Sequence, residues 1–153
     1  MTTYKWLLLF HVLFAAVWLG GSIYIEGLLA NASRTGDPKD LMRTALRVFP
    51  TNKRLFGVAG VGTVVFGFWL VFETAWTFEM AWVAIALALT IVAIVIGIFS
   101  FGPRGDAIAA RVAEHGLDDP EATAQLSQIG TVGHVNALLL FVAFVLMIFK
   151  PGG

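Results

Sequence analysis

The chain has 153 residues, of which 58% are hydrophobic and only 13% charged, and its mean hydropathy is +0.83. A soluble domain of this size carries about a quarter charged residues, so this balance points to an integral membrane protein. Formal charge is zero, which gives no basic field for a nucleic-acid partner, and the lack of cysteine excludes disulfides, iron–sulfur clusters, thiolate zinc sites and c-type haem attachment.

Four stretches are long enough to cross about 30 Å of hydrocarbon at about 1.5 Å per residue. They are 6–30, 55–73, 80–101 and 131–149. None has the two-residue alternation of a barrel strand, and backbone in lipid must satisfy its own hydrogen bonds. The expected fold is therefore all-α: one transmembrane four-helix domain over 1–153. Ala30-Asn31-Ala32 has the form of a signal-peptide cleavage site. The apolar run before it is too long for a signal peptide and contains Glu26, so a retained helix is expected.

The links between the spans differ in character. In 31–54, Asp37 can cap, Pro38 suits the first helical position and Asp40 the first turn. Leu41, Ala45, Val48 and Phe49 then share a face, which predicts a short amphipathic helix lying on the membrane surface. The second link, "TAWTFE", is so short that spans two and three should form an antiparallel hairpin. In 102–130, Gly102-Pro103 should end or kink the third span, and "RGDAIAARVAEH" reads as a helical extension capped by Gly116. Asp119-Pro120-Glu121 repeats the start signal and can begin one long helix running into the fourth span.

Loops 31–54 and 102–130 lie on the same side of a four-span protein. They hold Arg34, Lys39, Arg43, Arg47, Lys53, Arg54, Arg104 and Arg111, whereas the other side has only Lys5 and Lys150. The positive-inside rule predicts a plasma (inner) membrane protein with both loops cytoplasmic and both termini outside.

The first span carries the polar residues that bear on function. At about 100° per residue, His11, Ala15, Trp18, Ser22 and Glu26 fall within roughly 80° of one another and form one seam. Charge facing lipid is costly, so the seam should face protein. His11 and Glu26 are separated by about 22 Å along the axis and cannot share one ion. His134, near the start of span four, is level with Glu26 and Ser22 rather than with His11. Met147 is nearly level with His11, so a His11–Met147 metal pair is conceivable. His11 has two readings: a cross-helix hydrogen bond, or a ligand. Glu26 is close enough to the inner surface to serve as an anchor.

On span two, Gly57, Gly60, Val64, Gly67 and Val71 lie along one side. Small residues permit close helix packing, and they can equally leave a slot for a flat macrocycle. Candidate cofactor contacts are thus His11, Trp18, Ser22, Gly60, Gly67 and His134. Trp76 and Trp82 suit an interfacial aromatic belt. Glu73, Glu79 and Met80 read as a solvated cluster at the same outer end. No H-x-x-x-H, E-x-x-H or Ser–His–Asp arrangement stands out, so hydrolytic or phosphoryl-transfer chemistry has no visible apparatus.

"HVLFAAVWLGG", with His11, Trp18, Gly20 and Gly21, resembles the first helix of small four-helix membrane proteins near the copper-resistance D (CopD-like) group. The HemJ-type protoporphyrinogen oxidases have a comparable first-helix His. The ending "LMIFKPGG" resembles that of predicted integral membrane proteins of unknown function near the same group. The HemJ resemblance implies haem b held by a first-helix His, at the position of His11 here. The CopD resemblance implies copper passage.

The leading expectation is a haem b-binding membrane protein that transfers electrons or supports a membrane oxidoreductase, with His11 as an axial ligand. A homodimer with its two-fold axis along the membrane normal could supply bis-His ligation. The alternatives are a non-catalytic membrane subunit or assembly factor, and copper or small-solute transport.

Overall fold

A computed structural model describes residues 2–152. It contains α1 (Thr3–Arg34), α2 (Pro38–Glu73), α3 (Ala81–Ile96), a π-helical turn (Gly97–Phe101), α4 (Gly102–His115) and α5 (Pro120–Phe149). Four helical stretches are long and apolar enough to cross a membrane: α1, α2, α3 through α4, and α5. The chain is an all-α, four-helix membrane bundle. One end carries Thr3, Phe149 and the 74–80 link; it is called the termini end below. The opposite end carries the 35–37 and 116–119 turns and is called the head.

The helix starts are those that local chemistry dictates. Thr35 closes α1 by donating its hydroxyl to the Ala32 carbonyl at 2.7 Å. Gly36 then turns the chain at φ +75°, a conformation that side chains resist. Asp37 caps α2 by accepting from the Lys39 N–H at 2.9 Å, and Pro38 fills the first helical position. Asp119 repeats the device, accepting from the Ala122 N–H at 2.8 Å, and α5 then runs uninterrupted through the expected fourth span.

Two expectations need correction. The 38–54 segment is helical and amphipathic, but it does not lie on the membrane surface. It continues through Pro50 as the first half of α2, a single helix of 36 residues. At about 1.5 Å per residue that is about 54 Å, well beyond about 30 Å of hydrocarbon, so the excess must project from the bilayer. There, Met42 and Ala45 of α2, Ile108 of α4, and Ala122, Leu126 and Ile129 of α5 form a buried core. An amphipathic helix next to two others buries its apolar stripe against them more completely than a lipid surface can.

Second, of the end or kink expected at Gly102-Pro103, the end does not occur: the helix continues to His115. The π-helical turn absorbs the problem: the Gly102 N–H donates to the Gly97 carbonyl, five residues back. Widening the turn by one residue accommodates the imino nitrogen of Pro103, and the helix proceeds directly into α4.

Within the membrane the closest partners are α1 with α2 and α3 with α5, and α1 also packs on α5. Although joined by the short 74–80 link, α2 and α3 are not closely packed. The expected antiparallel hairpin is present as two helices that stand apart beyond their short link.

Arg111 fixes the α4–α5 corner. Its guanidinium bonds the Asp119 carboxylate, through Nε and through Nη2 at 3.3 Å, and reaches Glu121 at 2.8 Å. The Arg111 hydrogen bond, then the Ala122 N–H, hold the Asp119 carboxyl below its usual range. A depressed folded-state pKa stabilises the fold above the ordinary value, about 3.9, and that contribution is lost as pH falls below it. Thermal unfolding in detergent at about pH 5 and about pH 3 should therefore show a larger acid-induced loss for the wild type than for Asp119→Ala. Equal losses would show that the corner carries no such linkage.

Candidate functional site

The seam expected on α1 faces inward. Leu7, His11, Trp18 and Ser22 are buried, and the flanking Leu9, Val12, Leu13 and Ile23 are exposed as lipid-facing residues must be. Glu26, at the head end of the seam, is partly buried, and its Oε2 lies 4.0 Å from His134 Nε2. The depth match between Glu26 and His134 that the sequence suggested is present in the fold.

His11 makes one hydrogen bond of particular geometry. Its Nδ1 is 2.9 Å from the Thr63 carbonyl oxygen of α2. A carbonyl only accepts, so Nδ1 carries the proton and the neutral ring leaves Nε2 as the lone-pair nitrogen. Gly67 makes this approach possible. A Cβ there would stand 2.9 Å from His11 Cε1 and 3.1 Å from Nδ1. The same principle recurs along α2. Gly60 faces the Trp18 ring, at 3.3 Å from a built Cβ, and Gly62 faces the Phe14 ring, at 2.5 Å. The glycines of α2 thus make room for aromatic rings of α1. The small-residue slot considered for a macrocycle is filled by Trp18 along its Gly60 part.

The open space lies elsewhere. A cavity of about 330 Å³ occupies the termini half of the bundle, in the gap between α2 and α3. His11, Ala15 and Trp18 wall it from α1, Thr63 and Gly67 from α2, Trp82 and Thr90 from α3, and Leu140, Phe144 and Met147 from α5. Most of its surface is apolar. Its volume falls at the small end of ligand sites, about 300–1,000 Å³. The Thr63 and Thr90 hydroxyls donate to carbonyls of their own helices, Ala59 at 2.7 Å and Ala86 at 2.8 Å. Polar atoms with unspent capacity on residues lining this cavity include His11 Nε2, the Lys150 ammonium and the Trp82 indole N–H, which is buried and has no partner.

At the termini end the cavity is roofed by aromatic side chains. Trp76 meets Trp82 edge-on at 5.4 Å and Tyr4 at 6.3 Å. Lys150, the residue after α5, takes a left-handed backbone (φ 42°) and lays its ammonium 4.1 Å from the Trp76 ring centre.

The candidate residues do not all meet. His11, Trp18, Gly67 and Met147 share the cavity, and its walls include neither Ser22, Gly60 nor His134. The Ser22 hydroxyl is spent on the Trp18 carbonyl at 2.9 Å. His134 is mostly exposed and bonds the Gly130 carbonyl of its own helix at 2.7 Å. Bis-His ligation across a dimer needs His11 at the protomer surface, whereas here it is 8% exposed. Sequence reasoning did not assign Thr63, Thr90 or Lys150 to the site. Lys150 had a signal, as one of only two cations at the membrane face that carries Trp76 and Trp82. Among the described residues no three His, Asp or Glu side chains converge as a metal cage.

Four apolar helices, a buried polar seam and a walled intramembrane cavity define a small polytopic membrane protein. The chain matches, over residues 5–151, a family described as predicted integral membrane proteins (DUF2269), and it belongs to that family. No curated protein and no solved structure matches it.

The glycine packing makes a direct prediction. Gly67→Ala should destabilise the protein in detergent by about 1–3 kcal/mol, because the added methyl meets the imidazole. Gly57→Ala, where nothing stands within 4 Å of the new Cβ, should be neutral or stabilising by up to about 1 kcal/mol. A chemical-denaturation comparison checks the pair; a reversed order would refute the packing account.

Proposed function

We propose that the protein binds haem b in the cavity between α2 and α3, with His11 as axial ligand, and serves electron transfer or a membrane oxidoreductase. One observation carries this reading. The Thr63 carbonyl holds Nδ1–H and fixes the ring, leaving Nε2 as a basic nitrogen at the cavity wall. Orientation of the ligating imidazole by a backbone acceptor on its other nitrogen is the common arrangement at metal sites. The donor set fits: one neutral imidazole, one thioether at Met147 on the same walls, and apolar sides for a flat ring. The looseness between α2 and α3 gives a macrocycle room to extend beyond the cavity itself. Haem bound there supplies one-electron redox chemistry, and the residues of this chain orient the ligand and exclude water from it. The HemJ resemblance of the first helix supports this reading, and copper, which the CopD resemblance implies, is the alternative metal for His11 and Met147.

The second reading, a non-catalytic membrane subunit or assembly factor that packs against partners, is supported by a different fact. Gly60, Gly62 and Gly67 of α2 serve α1 rings, and His11 closes a cross-helix bond, so both have structural employment without a ligand.

Reconstitution separates the two. Protein purified in mild detergent with haem available should give a pyridine-haemochrome and a reduced-minus-oxidised band, and His11→Ala should abolish the band. An unchanged band in His11→Ala, or no band in the wild type, removes the haem reading.

We also propose that the termini face the outside of the plasma membrane, on the excess of Lys and Arg at the head. The chain has no cysteine, so single replacements report cleanly. An impermeant maleimide added to intact cells should label Thr77→Cys and spare Thr35→Cys; the opposite pattern reverses the orientation.

A further inference from the structure

The termini end of the cavity has a chemistry that His11 does not account for. Lys150 lines the cavity, and among the described residues its ammonium pairs with no carboxylate. Glu73, at the termini end of α2, accepts from the Trp69 indole at 3.4 Å. The ammonium rests on the faces of Trp76 and Trp82, with ring centres at 4.1 and 5.8 Å. Aromatic faces attract the cation and leave it no hydrogen-bond acceptor. Beside it, Trp82 is 3% exposed, and its N–H donor is buried without an acceptor. A buried unmade hydrogen bond is costly, so such a donor is satisfied by water or by a ligand. The adjoining cavity is overwhelmingly apolar.

One cation and one orphan donor at the same end of an apolar cavity call for an acceptor-rich anion attached to an apolar body. A carboxylate meets both demands, because its two oxygens can take the ammonium and the indole N–H together. Apolar walls running from there to His11 receive the rest of the molecule. The gap between α2 and α3 gives such an amphiphile a route from the bilayer, where its head would sit at the interface and its body in hydrocarbon.

We propose that the cavity selects a ligand bearing a carboxylate at the termini end, with Lys150 as counter-ion and the Trp82 N–H as second donor. This deepens the haem reading, since haem b carries two propionates, but it does not depend on iron. A long-chain fatty acid presents the same chemistry.

The test uses the whole protein in mild detergent and paired probes. Haem b and its dimethyl ester are titrated by Soret absorbance. Palmitate and methyl palmitate are titrated by tryptophan fluorescence. A charge-assisted hydrogen bond corresponds to about tenfold or more in affinity, so the acid of at least one pair should bind at least about tenfold more tightly than its ester. Lys150→Gln should bring the acid down to the level of the ester while leaving the ester unchanged, and Trp82→Phe, which keeps the ring, should produce part of that loss. Equal binding of acid and ester in both pairs, or an equal loss of both in Lys150→Gln, overturns the proposal. If neither porphyrin binds while palmitate still outcompetes its ester, the haem reading fails and the carboxylate site stands. If haem b binds through His11 with no preference over its diester, and palmitate also shows none, the haem reading stands and this proposal fails.

Discussion

The hydrogen bond from His11 to the Thr63 carbonyl is the interaction around which the membrane part of this protein is arranged. In lipid a polar side chain has no water to fall back on, and most of those in the bundle resolve the problem locally. Ser22, Thr63, Thr74 and Thr90 each donate to a carbonyl four residues back in their own helix. His134 does the same from the exposed head end, bonding the Gly130 carbonyl of its own helix, whereas the buried His11 crosses to α2. The carbonyl it finds is already engaged by the helix, and it uses the second lone pair. Helical geometry makes Gly67 the residue whose N–H occupies the first. The same glycine, having no side chain, lets the ring in. Ring, carbonyl and glycine therefore form one unit, and the other α1–α2 contacts, Trp18 on Gly60 and Phe14 on Gly62, repeat its logic without the polar bond.

That tight α1–α2 seam has a counterpart in the looseness of α2 against α3. Rings from α1 fill the α2 glycines, and α3 packs on α5. What remains between α2 and α3 is the cavity. The head shows the opposite condition: Ala45, Ile108 and Ala122 are fully enclosed, and the ion pairs Lys39–Asp118 and Lys53–Asp106 tie its surface at 2.8 and 2.9 Å. Exposed pairs of this kind are worth about 0–1 kcal/mol each, so packing of the small core holds the head together. The protein thus combines a firmly packed head with a hollow at the far end of the same helices.

Much of this was legible in the sequence because each inference concerned one helix at a time. Apolar run length located the spans, Asp37-Pro38 and Asp119-Pro120 located two helix starts, and angular arithmetic along α1 placed His11, Trp18 and Ser22 on one buried face. Depth counting also brought His134 level with Glu26. What was not legible depended on how helices sit around one another. Periodicity says that Gly60 and Gly67 share a side of α2; it does not say that Trp18 and His11 occupy that side. Nor does it say that α2 and α3 stand apart despite a short link. Pro50 and Pro103 were ambiguous for a local reason. A proline removes one donor, and whether the helix stops, bends or widens by a residue is decided by what packs beyond it. For the 38–54 segment the deciding neighbours, α4 and α5, lie more than fifty residues away in sequence.

The π-helical turn at Gly97–Phe101 has a consequence for how this chain can change over time. It adds one residue to a helix whose two ends are committed to different partners, Trp82, Ala86 and Ala93 in the membrane and Gly105 and Ile108 in the head. Each residue rotates an α-helix by about 100°, so the turn sets the phase between the two halves. Substitutions along α3 and α4 can be accommodated one side chain at a time. Gain of a further residue between Ala93 and Gly105, with no second widened turn to absorb it, would swing every apolar position of α4 away from the head core together. Insertions in this region are thus resisted more than exchanges of residue type, because two cores must be served in register.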